Sequence, residues 1–375
     1  MTTRIISAPN PMIAIATDPK TGLTAQYRPF FPLLDRCVYL DSNTAGAVPR
    51  AARLAVDEYW DAFDEWRDDA STRWSNALAD YAADLAALMN AAPRSIVCGT
   101  DTSALLTRMT SGLDLRARPV IVTSDLEPSA TMSALSALGG HGAELDVVPS
   151  ANGIEIDGAQ IARAIDERTQ LVLVSHVTHA TGALLNVAPI VRRAREVGAL
   201  VALDVQHSVG AVPVDVTLLG VDFAFAGAHT WLCGSVGSAF LYVRPSSSHP
   251  SGHAQRFADG TLAVLPVLMS QPGLAIVRAI GVQAISALSL ARTDHIIERA
   301  DEAGLGVATP RPHHRRGGMV ALRFPGDADV ARKLNAAGFA CSYRGGIRVA
   351  PHFYNTDEEI DRFMDALVRA TRRLE

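Results

Sequence analysis

The pattern of apolar and polar positions near the middle of the chain predicts three short buried strands. They occupy residues 199–203, 221–225 and 238–243. Each segment has the length and the β-branched or aromatic content of a strand, and each is bounded by polar or glycine-rich turns. Similar segments lie at 120–124, 144–149 and 170–176, with helical patterns between several of them. This alternation predicts an α/β protein with a largely parallel sheet and helices on both faces.

Polar side chains stand where two of these strands end. Asp204 ends the first strand and is followed by His207, while His229 and Thr230 follow the second. In open α/β sheets, ligands bind at the carboxyl ends of the strands. The pattern therefore predicts a functional site at this edge of the sheet.

The rest of the chain suggests a division into two domains and an arm. Residues 51–90 have the periodicity of two amphipathic helices, and 266–304 form a longer helical region. A chain of 375 residues also exceeds the usual size of one domain. We predict an irregular N-terminal arm at 1–35, a large domain at 36–255, and an interface helix with a small C-terminal α/β domain at 256–375.

Composition narrows the classes of function. Apolar residues make up 48% of the chain, charged residues 19%, and the net charge is −5. This balance gives no electrostatic reason to expect nucleic-acid or membrane partners. No apolar run reaches the length of a membrane span, and the N-terminus lacks a signal-peptide pattern, so we expect a cytoplasmic protein. The four cysteines have no metal-ligand spacing, so we expect free thiols and no metal site.

Two segments resemble the class V aminotransferase family, which uses pyridoxal phosphate (PLP). They read DVQHSVG at 204–210 and VDFAFAGAHTWLCGSVGSAFLYV at 221–243. The resemblance extends over about 36–375 and is closest to isopenicillin N epimerase-like proteins, cysteine desulfurases and kynureninases. It implies PLP fold type I, with a large domain around a mostly parallel seven-stranded sheet and a small C-terminal domain. It also implies a homodimer with the active site at the interface.

The resemblance breaks at the residue on which the family's covalent chemistry depends. The lysine that forms a Schiff base with PLP falls on Thr230, and a threonine cannot form that bond. The chain has two lysines, Lys20 and Lys333, and neither lies in a motif of the family. We therefore expect PLP, or its aminated form pyridoxamine phosphate (PMP), to bind without a covalent bond or not to bind.

The other family positions imply a cofactor site that is partly kept. Asp204 matches the carboxylate beside the ring nitrogen, and His207 matches the residue that contacts the ring hydroxyl or stacks near it. Thr102 and Ser103 match phosphate ligands at a helix start. Capping by Asp101 or Thr102 is the alternative for this turn, and the family match favours phosphate binding. Thr261 matches the threonine that reaches the partner subunit's phosphate.

Among the family positions near the substrate and the cofactor ring, some are matched in this chain and others are not. Arg348 matches the arginine that binds the substrate carboxylate, a task suited to a bidentate guanidinium. His179 stands at or near a family asparagine. Pro128 and Ser129 occupy the place of the ring-stacking residue, and Gly227 falls near a small polar phosphate ligand, so both contacts are lost.

Three functions are compatible with these residues. The first is an enzyme that acts on a small amino-acid-like carboxylate with non-covalent PLP or PMP, with His229 as the base beside Thr230. The second is a PLP-independent enzyme in which His179, His207 and His229 are the acid–base groups. The third is a non-catalytic binding protein, or the inactive partner of an active paralogue.

Overall fold

The computed structural model describes residues 19–64, 69–92, 94–245, 254–258, 260 and 263–372. The α-helices in these ranges are α1 Pro19–Tyr27, α2 Leu54–Asp64, α3 Asp69–Leu88, α4 Thr102–Ser111, α5 Ser129–Ala137, α6 Gly158–Arg163, α7 Ala188–Val197, α8 Val216–Leu219, α9 Val264–Ile280, α10 Val282–Glu302, α11 Asp327–Ala336 and α12 Asp357–Thr371. The strands are β1 Val38–Tyr39, β2 Ile96–Gly99, β3 Val120–Ser124, β4 Glu144–Val148, β5 Thr169–Ser175, β6 Leu200–Asp204, β7 Phe223–Gly227, β8 Ala239–Val243, β9 Gly306–Val307, β10 Val320–Arg323, β11 Phe339–Ala340, β12 Ser342–Tyr343 and β13 Ile347–Val349.

Seven strands form the main sheet, in the order β2-β8-β7-β6-β5-β3-β4. The pairs from β7 to β4 are parallel, and β8 is antiparallel to both of its neighbours. Alternate residues of β6 enter different cores: Val201 and Leu203 join one apolar cluster, whereas Leu200 and Ala202 join the other. Because both faces are covered there, strands β2, β3, β6, β7 and β8 are buried along their whole length, whereas the edge strand β4 is mostly not buried. The predicted α/β fold with a mostly parallel seven-stranded sheet is confirmed.

The long helical region differs from its predicted form. It divides into α9 and α10, which meet at Gly281 with a backbone φ of 84°. A glycine accepts this conformation without steric cost, so the chain turns sharply between the two helices. No single helix in the described ranges has the length and apolarity to cross a membrane; α9 and α10 meet this test only as a pair bent by 83°.

The predicted irregular arm is wrong for residues 19–35, while 1–18 lie outside the described residues. Helix α1 is followed by two short 3-10 helices, Arg28–Phe30 and Pro32–Asp35. The Thr24 hydroxyl donates to the Phe353 carbonyl oxygen (2.8 Å), and Arg28 forms an ion pair with Glu359. These contacts with the C-terminal part of the chain order the segment, and a local sequence pattern does not reveal them.

The small domain contains the antiparallel sheet β12-β13-β10-β9 and a separate parallel pair, β1 with β11. Val38 and Leu40 pack in the same apolar cluster as Val320 and Phe363. The segment that begins near residue 36 therefore packs with the small domain, although we predicted it as the start of the large one.

Candidate active site

The carboxyl ends of the parallel strands bring most of the predicted site residues to one edge of the main sheet. Asp204 ends β6, His207 lies in the turn after it, and Thr230 lies three residues beyond the end of β7. His179 follows β5, while Arg348 comes from β13 of the small domain. The site therefore lies between the main sheet and the smaller antiparallel sheet. Thr261 lies outside the described residues.

Asp204 is a buried carboxyl group with an unusual protonation equilibrium. Its side chain is 8% exposed, and Oδ1 accepts a hydrogen bond from the backbone N–H of Gln206 (2.8 Å). Burial raises the pKa of Asp204 to about 7, the Gln206 N–H opposes this rise, and the charge of Glu127 adds to it. Within the described part of the chain, Oδ2 has no hydrogen-bond partner, so it is free to bind a ligand N–H.

Glu127 is a second buried carboxyl group that sequence reasoning missed. Its Oε1 accepts from the Ser124 hydroxyl (2.8 Å) and the Ser175 N–H (3.1 Å), and its Oε2 accepts from the Ser175 hydroxyl. Burial raises the pKa of Glu127, and the hydrogen bonds from both serines lower it. Ser175 is directly opposite Asp204 in the β5–β6 pairing. The signal in the sequence was an acidic residue three positions after an apolar strand.

Three histidines and Arg348 influence one another electrostatically. Burial, with smaller contributions from the charges of Arg348, His179 and His229, lowers the pKa of His207 to about 3. Burial also lowers the pKa of His179 and of His229. The Nδ1 atoms of His179 and His207 are buried and have no hydrogen-bond partner among the residues described. The imidazoles are therefore neutral at pH 7, the form that can accept a proton.

Thr230 does not present a free hydroxyl to the site. Its side chain is 2% exposed, and Oγ1 accepts from Gln206 Nε2 (2.8 Å) and donates to the Gln206 carbonyl oxygen (3.1 Å). Gln206 also binds both backbone groups of Gly227. Sequence reasoning missed Gln206, although it lies between Asp204 and His207 in the motif at 204–210.

Arg348 is 4% exposed, and protein acceptors already surround its guanidinium group. It donates to the Ser342 hydroxyl (3.1 Å), the His179 carbonyl oxygen (2.7 Å) and the Thr44 hydroxyl (3.0 Å). Burial lowers the pKa of Arg348 to about 10, and the charge of Asp41 opposes this change. These hydrogen-bonded acceptors are neutral, so among the described residues no carboxylate is hydrogen-bonded to the guanidinium, and a substrate carboxylate would share its donors.

The predicted phosphate end contains an acidic group of the protein itself. Thr102 and Ser103 form the first turn of α4, and Asp101 is its N-cap. Asp101 Oδ1 accepts from the Ala104 N–H (2.8 Å), one of the donors that a helix start offers to an anion. Capping of this turn, which the sequence left as an alternative, is thus present. Binding of phosphate by Thr102 and Ser103 stays a prediction.

Other candidate groups lie away from the site or do not form one. Lys333 is exposed on α11, as expected for a surface lysine. Cys98, Cys233 and Cys341 are buried free thiols, and Cys37 is a half-buried one. Among the residues that the structure describes, no group of three or more His, Cys, Asp or Glu side chains could hold a metal ion.

Comparisons with known proteins agree with this architecture. The family model for class V aminotransferases matches residues 38–363, and the chain belongs to this family. It is 28% identical to the uncharacterized aminotransferase YcbU of Bacillus subtilis, over 93% of this chain and 98% of the relative. It is 29% identical to isopenicillin N epimerase of Streptomyces clavuligerus, over 89% and 95%.

A solved structure shows the same fold. It is a mutant of C-DES in which a lysine is replaced by alanine, with glycine covalently linked to the PLP cofactor. The TM-score is 0.84, with 20% identity over 91% of this chain and 98% of that one. The recognition of the family and of PLP fold type I is confirmed.

Proposed function

We propose that the chain is an enzyme that acts on a small amino-acid-like carboxylate and binds PLP or PMP without a covalent bond. The observation that carries this proposal is at position 230. Thr230, which the sequence motif leads us to align with the family's lysine, is buried, and its hydroxyl is bound to Gln206. An enzyme of this family is supported by the relatives, and the non-covalent site is our inference from the side chains.

The side chains fit the cofactor at the ring end and do not fit a covalent link. Asp204 offers a buried carboxyl oxygen, Oδ2, that is available to a ring N–H. The unpartnered Nδ1 of His207 is a further polar atom that a ligand could satisfy. Thr230 carries no amine, so the protein has no group at this position that condenses with an aldehyde.

The protein's own residues would divide the work as follows. A bound B6 cofactor withdraws electrons from the substrate Cα. Asp204 would hold the ring through a hydrogen bond at Oδ2, and Arg348 would orient the substrate by its carboxylate. His229 is neutral, half-buried and next to Thr230, so a ring nitrogen of its imidazole is suited to accept a proton. The homodimer and the cytoplasmic location remain predictions.

The test is a titration of the purified protein with PLP and PMP, followed by near-ultraviolet and visible absorbance. We expect saturable binding of at least one form, and no covalent adduct on a residue of the site after reduction with borohydride. Asp204→Asn should weaken binding of both forms, whereas the surface variant Lys333→Ala should not. If neither PLP nor PMP binds, the cofactor part of the proposal is contradicted.

The second candidate is an enzyme that uses the same pocket without PLP. Asp101 favours it, because a carboxylate at the start of α4 opposes a phosphate there. His179, His207 and His229 would then be the acid–base groups on a carboxylate held by Arg348. Calorimetric titration with small amino acids and 2-oxo acids, without any B6 compound, separates the two candidates: binding that Arg348→Gln abolishes supports the second.

A further inference from the structure

The Gln206 side chain links the ends of strands β6 and β7. Its Nε2 donates to Thr230 Oγ1 (2.8 Å) and to the Gly227 carbonyl oxygen (3.2 Å), and its Oε1 accepts from the Gly227 N–H (2.6 Å). Thr230 Oγ1 donates in return to the Gln206 carbonyl oxygen (3.1 Å). Both amide hydrogens of Gln206 are therefore engaged, and the hydroxyl of Thr230 uses its hydrogen as well as a lone pair.

This arrangement leaves little space around the segment from Gly227 to Thr230. A Cβ atom added to Gly227 would lie 3.2 Å from Gln206 Oε1 and 2.7 Å from Nδ1 of His229. The His229 ring thus lies against the same backbone that Gln206 holds. Gln206 fixes the hydroxyl of Thr230 and also the turn that carries the proposed base.

The hydrogen-bonding character of Gln206 also determines which side chain position 230 can hold. Toward Thr230 the carboxamide presents its N–H donor, which requires an acceptor. A lysine ammonium has three donors and no acceptor, so it cannot replace the threonine oxygen in this contact. A lysine ammonium facing the Nε2 donor would find no shared acceptor, which is costly. A neutral lysine amine would accept from that donor through its one lone pair, the pair it needs to attack an aldehyde.

We propose that Gln206 is a specificity-determining residue that closes position 230 to a reactive amine and so keeps the pocket non-covalent. A lysine placed at position 230 alone remains unreactive, and it becomes reactive when Gln206 is shortened. This inference rests on the proposed function, in which the ligand binds without a covalent bond.

The test measures the reactivity of an introduced lysine with an aldehyde. Thr230→Lys and the double variant Thr230→Lys/Gln206→Ala are incubated with PLP and reduced with sodium borohydride. In this reaction the lysine nitrogen bonds to the aldehyde carbon, the carbonyl oxygen leaves as water, and hydride reduces the C=N bond to a secondary amine. Peptide mass spectrometry then locates the label.

The low lysine content of the chain keeps background labelling small in this measurement. Only two native lysines are present, Lys20 and Lys333, and Lys333 is exposed, so it serves as the internal reference. We expect the ratio of label at position 230 to label at Lys333 to be at least tenfold higher in the double variant than in Thr230→Lys. Thr230→Lys/Gln160→Ala, which shortens a glutamine on α6, should behave like Thr230→Lys.

Each outcome decides the question. Equal labelling of Thr230→Lys and the double variant at position 230, whether strong or absent, overturns the proposal, because Gln206 then does not control access. If thermal melting shows that either lysine variant is unfolded, Gln206→Ala in the native background is used instead. Hydrogen exchange of the Gly227 amide should then be at least tenfold faster in Gln206→Ala than in the wild type. An unchanged exchange rate overturns the proposal. Titration of the wild-type protein with PLP and PMP tests the proposed function separately.

Discussion

Replacement of Asp101 by asparagine tests the phosphate end of the site. Asparagine caps a helix about as well as aspartate does, so Asp101→Asn keeps the hydrogen bond to the Ala104 N–H and removes one negative charge. If Thr102 and Ser103 bind the cofactor phosphate, that phosphate lies close to the carboxylate. The substitution therefore measures the repulsion between the carboxylate and the phosphate while the structure of the turn stays the same.

The size of the effect follows from Coulomb's law. A unit charge and a phosphate of about −1.5 at about 5 Å repel by roughly 1 kcal/mol at the dielectric constant of water, and by roughly 5 kcal/mol at a value of about 20. Asp101 is exposed, so the lower end applies. Since about 1.4 kcal/mol is tenfold in affinity, Asp101→Asn should tighten PLP and PMP binding by roughly five- to tenfold.

The assay compares phosphorylated and unphosphorylated ligands. Dissociation constants for PLP and for pyridoxal are measured by absorbance titration in the wild type and in Asp101→Asn. Only PLP should bind more tightly to the variant, and the gain should shrink at high salt because exposed charges are screened. An equal change for PLP and pyridoxal, or no change for either, would refute the placement of the phosphate at α4.

Three further predictions concern the core of the site. Asp204→Asn should stabilise the ligand-free protein at pH 8 and have little effect below pH 4. Because the pKa of Asp204 is raised to about 7, the free energy of unfolding of the wild type falls by up to about 4 kcal/mol as pH rises from about 4 to 7. Thermal melts across this pH range measure the difference. Thr230→Val should cost about 2 kcal/mol in urea unfolding, through two lost hydrogen bonds, and Thr230→Ser should cost less. Arg348→Gln should weaken binding of small carboxylates by roughly 10- to 100-fold in calorimetry, and unchanged affinity would exclude Arg348 as their ligand.

The main sheet could be predicted from the sequence because most of its strands are buried over their whole length. Strand β3 has the predicted bounds, and the predicted starts of β5 to β8 lie within two residues of those observed. Burial on both faces of a sheet leaves a signal in each strand by itself. The α/β class therefore followed from local patterns, and the position of Asp204 followed with it.

The parts that could not be predicted depend on contacts between distant residues. Gln206 and Glu127 are polar residues just after strands, where a sequence pattern indicates a turn. Their hydrogen bonds depend on neighbouring strands, which a local pattern does not reveal. The acceptors around Arg348 come from the segment near Thr44, the loop after β5 and strand β12. A motif identifies the arginine and says nothing of the bonds that already engage it.

The pairing of β1 with β11 affects how the chain folds during synthesis. Val38 is partnered by Phe339, so about three hundred residues must be made before the first strand meets its neighbour. At about 5–20 residues per second, that interval lasts roughly 15 to 60 seconds on the ribosome. The large domain can fold in this time, while the segment from Val38 to Leu40 stays without its partner and exposes apolar side chains that a chaperone could bind.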